Sequence, residues 1–217
     1  MIRIVCLLIG YVFGLFQTAY IIGRMHGIDI REHGSGNSGT TNMLRTMGTK
    51  YGLLTFAGDC LKCVFAIVLV RILFGKSHSD MIPLLSMYTA AGVILGHDFP
   101  IYLGFRGGKG IAATAGLVFA FDPIMTVLGL ITFFGTFFLT HYVSLGSLLV
   151  YVGIVIETIV LGQMGHFHMS QALLNEMYIL TILLAALAFR QHRKNIHRLL
   201  TGTERKTYLH SSNNQKE

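Results

Sequence analysis

Long apolar runs separated by short polar loops set the pattern of this chain. Runs at about 3–23, 51–74, 81–101, 111–121, 123–140, 144–162 and 177–189 predict seven transmembrane helices. Most reach the ~20 residues that a helix needs to cross a bilayer. The fourth run is short and contains glycine, and the Asp122-Pro123 turn after it could equally mark one bent hairpin. Six spans therefore remain compatible with the pattern. The fold class is all-α, a polytopic integral membrane protein.

Composition agrees. Charged residues make up 12% of the 217 and hydrophobic residues 53%, and a soluble domain carries roughly twice that charge. Thirteen of the 17 Lys and Arg fall in alternate loops and the C-terminal tail, which predicts an external N-terminus and a cytoplasmic C-terminus. Residues 1–23 read as an uncleaved first span, because no small-x-small cleavage site follows Arg3 and its apolar run. The net charge of +7 fits the same cytoplasmic bias and attraction to anionic lipid or substrate, so no nucleic-acid partner is expected. Cys60-Leu-Lys-Cys63 has redox spacing but lies in a helical apolar stretch, where two small buried residues are the simpler reading.

The candidate chemistry gathers in the loops assigned to the cytoplasm. Gly34-Ser-Gly-Asn-Ser-Gly39 is a literal G-x-G-x-x-G, yet no strand or βαβ unit surrounds it, which excludes a dinucleotide fold. Its glycines still permit close approach to an anion, with Ser35, Thr40, Thr41 and Asn42 as donors and Arg45 as a fork for phosphate. Arg106-Gly-Gly-Lys109-Gly110 opens the next span. It lacks the spacing of an ATP-binding P-loop but offers an ammonium and a helix start to a second anion. Asp59 and Lys62 share one helix face deep in the second span, as a structural ion pair or as a wall of the site. His97 ends the third span. His192 and Asn195, three residues apart, can point at one ligand where the last span meets the cytoplasm. Residues 190–202 read as an amphipathic interfacial helix. His166-Phe-His168 lacks a third ligand nearby and reads as a solvated loop, and no motif calls for a metal or a cofactor.

Taken in order, these stretches resemble the bacterial acyl-phosphate:glycerol-3-phosphate acyltransferases, the PlsY family. The resemblance runs through Asp29-Ile30-Arg31, Gly34-Ser35-Gly36-Asn37-x-Gly39-x-Thr41-Asn42-x-x-Arg45 and Asp59-x-x-Lys62. It continues through Gly96-His97-x-Phe99-Pro100, Gly107-Gly108-Lys109-Gly110 and His192-Arg193-x-Asn195-Ile196-x-Arg198-Leu199-Leu200-x-Gly202-x-Glu204. Tyr142-x-Ser144-x-x-Ser147 is a weaker match. Departures are the missing proline near residues 15–18, Arg106 for lysine, Cys63 for glycine and His141 for arginine.

The resemblance implies seven membrane helices and transfer of a fatty acyl group from acyl phosphate to the 1-hydroxyl of glycerol 3-phosphate. Lysophosphatidic acid and inorganic phosphate would leave. On that basis residues 1–204 form the acyltransferase domain and 205–217 a polar, disordered cytoplasmic tail. Ser35, Lys109, His192 and Asn195 are the expected catalytic group. Gly34, Gly36, Asn37, Gly39, Thr41, Asn42, Arg45, Lys62, His97, Gly107, Gly108, Gly110, Ser144, Arg193 and Glu204 are the expected substrate contacts. Backbone NH groups of 34–39 and 107–110 are expected to hold the acyl phosphate. Either His192 or a substrate phosphate oxygen would take the hydroxyl proton. The expected setting is the bacterial plasma membrane, as a monomer among lipids with its site on the cytoplasmic face. A transporter or channel for a phosphorylated solute is the competing class, and a non-catalytic lipid-binding relative another.

Overall fold

The computed structural model describes residues 1–208, and all its regular structure is helical. In chain order the helices are α1 (Ile2–Gly14), α2 (Thr18–Met25), α3 (Thr40–Met47), α4 (Thr49–Phe74), α5 (Ile82–Asp98), α6 (Ile111–Phe121), α7 (Pro123–Thr140), α8 (Val143–Gln163), α9 (Gln171–Gln191) and α10 (Arg193–Leu200). Among the described residues, six stretches are long and apolar enough to cross a membrane, and the shorter apolar α6 lies between the third and fourth of them.

The tightest packing joins α1 to α5. Gly10 and Gly14 on α1 face Gly92 and Gly96 on α5, two small-xxx-small stripes in contact. A Cβ at any of the four would press into backbone of the opposing helix. Without side chains between them the two backbones gain close van der Waals contact, the means by which helices associate in lipid. The pairing also lays the end of α5 beside the end of α1, and the site is built there.

The first apolar run is one span built of two helices, α1 and α2. It breaks at 15–17 without a proline, because buried polar groups take over the freed carbonyls. Gln17 Nε2 donates to the carbonyls of Gly14 (3.1 Å), Gly96 (3.2 Å) and His97 (3.0 Å). Lys62 Nζ, from α4, donates to Phe16 O at 2.7 Å and to Asp59 Oδ1 at 2.9 Å, and contacts His97 Nδ1 at 2.8 Å. Thr18 Oγ1 completes the group on Asp59 Oδ1. Asp59 and Lys62 thus form a buried ion pair that fastens α1, α2, α4 and α5 together.

Further adjustments follow from polar contacts. The loop after α2 folds back through α3, and a small second core of Ala19, Ile30 and Met43 seats it. Helix α9 starts at Gln171, earlier than its apolar run, because Glu176 pairs with Arg3 and accepts a hydrogen bond from Tyr88. His166 is bonded through Nε2 to Asp122 Oδ2 at 2.6 Å rather than merely solvated, and the same carboxylate caps α7. Cys60 and Cys63 are buried free thiols, and Gly116 of α6 packs against them.

Candidate active site

At the end of the bundle where α1 breaks, three segments enclose a polar cavity of about 520 Å³. Gly34, Ser35, Gly36, Asn37 and Arg45 line one side. Asp98, Phe99, Phe105, Arg106, Gly107, Gly108 and Lys109 line the second. Gln191, Arg193, Lys194, Asn195, Arg198 and Arg205 line the third. Seven cationic side chains against the carboxylate of Asp98 make this an anion site.

Asn42 shapes the first wall from beneath. Its side chain is buried, with Oδ1 accepting from Ser35 N at 2.8 Å and Nδ2 donating to the carbonyls of Ile30 (3.1 Å) and His33 (3.0 Å). Gly34 has a φ of +61°, and its missing Cβ leaves room for that amide. Arg31 braces the loop from outside by pairing with Asp29 and donating to Leu103 O at 3.2 Å. Arg31 holds the Asp29 carboxyl down at about 2.

The second wall folds back over the end of α5. Gly107 N donates to Asp98 O (3.2 Å) and Gly108 N to His97 O (3.0 Å), while a Cβ at Gly108 would strike the His97 ring. Lys109 is thereby aimed across the cavity. Its ammonium donates to Asn195 Oδ1, and Asn195 Nδ2 donates to Glu204 Oε1 at 2.6 Å. Glu204 also accepts from Ser144 Oγ (2.8 Å) and Arg198 Nε (2.6 Å). Burial, with Arg198 and Arg45 adding repulsion, pushes the Lys109 pKa down to about 8. Burial pushes the Glu204 carboxyl the other way, but bonds from Asn195, Arg198 and Ser144 outweigh it and keep the group below its ordinary value.

His192 sits buried between the lining residues Gln191 and Arg193, with Nδ1 bonded to Ala188 O at 2.8 Å. A carbonyl only accepts, so Nδ1 carries the proton and Nε2 is bare. Burial and then Lys109 lower its pKa to about 4, which keeps the ring neutral but makes it a weak base.

Of the residues expected from sequence, Ser35, Lys109, Asn195, Gly34, Gly36, Asn37, Arg45, Gly107, Gly108 and Arg193 meet in this one cavity. Others do not reach its wall, His192 among them, buried behind its lining neighbours Gln191 and Arg193. Lys62 and His97 belong to the buried network behind it. Asn42 supports the glycine loop, Gly39 and Thr41 start α3, and Gly110 starts α6. Ser144 and Glu204 act through Asn195. The expected cradle of backbone NH groups is also largely spent internally. Those of Ser35, Gly36, Gly39, Gly107 and Gly108 are all paired, within the first loop, with Asn42 of α3 or with the end of α5, because buried backbone donors must find partners.

Sequence reasoning missed Asp98, Phe105, Gln191, Lys194 and Arg205 as lining residues. The sequence places Arg205 in a disordered tail, whereas residues 205–208 are docked: Arg45 Nη2 donates to Arg205 O and to Thr207 Oγ1. The remainder of that tail, 209–217, lies outside the described residues.

A second, apolar cavity of about 100 Å³ starts one residue past Gly110, among α4, α6, α7 and α8. Ile111, Thr114, Phe119, Phe133, Val150 and Tyr151 are among its walls. Ile111 faces this apolar space and Lys109 the polar one, two residues apart.

Comparison with known proteins bears on this pairing of an anion site with an apolar one. The sequence model of the family described as glycerol-3-phosphate acyltransferase matches residues 4–202. The chain belongs to that family. A glycerol-3-phosphate acyltransferase of Clostridioides difficile (strain 630) is 40% identical over 205 residues, 94% of each chain. One from Alkaliphilus metalliredigens (strain QYMF) is 37% identical over 207 residues, 95% of this chain and 96% of its own. Among solved structures, the glycerol 3-phosphate form of PlsY, an integral membrane glycerol 3-phosphate acyltransferase, superposes with a TM-score of 0.80 at 32% identity. It covers 95% of this chain and 96% of its own. The lysophosphatidic acid form of PlsY gives 0.79 at 30% identity, with the same coverage. The chain is thus an acyltransferase of the membrane.

Proposed function

We propose that this acyltransferase takes its acyl group from a fatty acyl phosphate and gives it to the 1-hydroxyl of glycerol 3-phosphate. Lysophosphatidic acid and inorganic phosphate leave. The observation that carries the reading is the juxtaposition of a seven-cation cavity with an apolar one across Gly110. Both reactants carry phosphate, and one also carries a chain that favours an apolar setting by about 0.8 kcal/mol per methylene.

In this reading Arg45, Lys109 and Asn195 hold glycerol 3-phosphate, with Ser35 and Asn37 beside it. The acyl phosphate lies with its head among Arg106, Arg193 and Arg198 and its chain beyond Ile111. The acceptor hydroxyl attacks the acyl carbonyl directly, the carbon–oxygen bond to phosphate breaks, and the proton passes to the phosphate. The mixed anhydride is already activated, so the residues contribute position and charge neutralisation rather than a strong base. The weak basicity of His192 supports a substrate phosphate as proton acceptor. It leaves His192 to accept a hydrogen bond at Nε2. No hydrogen bond links Ser35 Oγ to a base among the described residues, which favours direct transfer over an acyl-serine.

The same proposal sets the cavity on the cytoplasmic face of a bacterial plasma membrane, with seven crossings of which α6 is the short one, in a monomer whose catalytic domain is 1–204. Purified protein given glycerol 3-phosphate with palmitoyl phosphate should make lysophosphatidic acid and with palmitoyl-CoA should not. Product from the thioester alone would overturn the donor, and no product from either would overturn the enzyme reading.

A further inference from the structure

Thr207 lies beyond the family match, yet it holds the phosphate ligand proposed above. Both contacts of Arg45 with the tail use the same nitrogen: Nη2 donates to Thr207 Oγ1 at 2.6 Å and to Arg205 O at 3.2 Å. An Nη group has two hydrogens, and here it already meets two acceptors. A guanidinium can present two parallel N–H groups to a phosphate along either of two edges, Nε with Nη2 or Nη1 with Nη2. Both edges include Nη2. Arg31 uses the first edge on Asp29 in this structure, through Nε and Nη2. On either edge of Arg45, a phosphate meets the tail in competition for Nη2.

The segment doing this is anchored. Thr207 is buried, its N–H donates to His141 O at 2.9 Å, and the Tyr208 ring lies 4.8 Å from that of His141. His141 ends α7 in the left-handed conformation, φ +61°. Lys206 Nζ sits 5.9 Å from the centre of the Tyr142 ring. The strap is thus tied to the α7–α8 corner, while Glu204 just before it is tied to Asn195 and Arg198.

We infer that residues 205–208 are an autoinhibitory strap, which competes with the phosphate of the acceptor for Arg45. The inference rests on the reading of Arg45 as a phosphate ligand. Binding of the acceptor requires Thr207 to release Nη2, so the strap lowers acceptor affinity without entering the chemical step. It sets the acceptor concentration at which the enzyme turns on.

Three variants of the buried Thr207, outside the helical bundle, test this. Thr207→Val removes the acceptor for Nη2, Thr207→Pro removes the anchoring N–H as well, and Thr207→Ser keeps both. KM for glycerol 3-phosphate should fall about fivefold in Thr207→Val, the weight of one hydrogen bond. It should fall about tenfold in Thr207→Pro and stay unchanged in Thr207→Ser, with kcat constant throughout. A KM that is unchanged or raised in Thr207→Pro overturns the strap. If the wild type makes no lysophosphatidic acid, the functional reading falls separately. Titration of inorganic phosphate onto the same four proteins then decides the strap, tighter binding by Thr207→Pro supporting it and equal binding refuting it.

Discussion

Lys109 is held where its charge is both needed and vulnerable. With its pKa pushed down to about 8, the ammonium is present below that pH and is lost as pH rises through it. Acyl transfer should therefore decline on the alkaline side with a midpoint near 8, read as kcat/KM against pH, and Lys109→Arg should carry the decline above pH 10 while lowering the rate. A profile flat to pH 10 in the wild type would contradict this. Glu204 supports the same charge from behind Asn195. In Glu204→Gln the alkaline midpoint should fall below 8 and kcat/KM should drop about tenfold, because Asn195 loses its charged acceptor. At this scale the sequence was informative where chemistry stands alone. Ser35, Arg45, Lys109 and Asn195 were legible from residue type and motif. The supporting roles of Asn42, Ser144 and Glu204 were not, since a polar side chain in a loop reads the same whether it faces the ligand or the loop's own backbone.

At the scale of the element, the site depends on where α1 stops and α5 is pinned. The buried Lys62 ammonium compensates Asp59 and the carbonyls of Gly14 and Phe16 at the break. Lys62→Met should destabilise the protein by about 3–5 kcal/mol, the usual consequence of stranding one member of a buried ion pair, and thermal unfolding in detergent would measure it. An unaltered midpoint would mean that the pair does not hold the break. The apolar runs announced most of the spans, because bilayer thickness fixes their length. They did not announce the break in the first span, which follows from Gln17 within it and Lys62 arriving from α4. The facing Gly10-x-x-x-Gly14 and Gly92-x-x-x-Gly96 stripes were present in the sequence as packing signals, and the hydropathy pattern alone passes over them.

Across the whole molecule, polar chemistry collects at one end and short pairings such as Arg3–Glu176 and Asp122–His166 close the other. Single cysteines placed at Lys194 and at His168, in a background without Cys6, Cys60 and Cys63, should react with an impermeant maleimide from opposite sides of the membrane. Labelling of Lys194→Cys only from within would agree with a cytoplasmic cavity, and labelling from outside would reverse the orientation. The central claim is that one cavity grips the acceptor phosphate through cations drawn from three distant stretches of chain. Titrating glycerol 3-phosphate onto purified protein, with no acyl donor present, tests it most directly. Saturable binding should weaken about a hundredfold in Arg45→Gln and in Lys109→Gln, within the ~2–5 kcal/mol typical of losing a buried charged hydrogen bond, and should be unaffected in Lys76→Gln at the opposite end. Equal affinity in all four proteins would contradict the account.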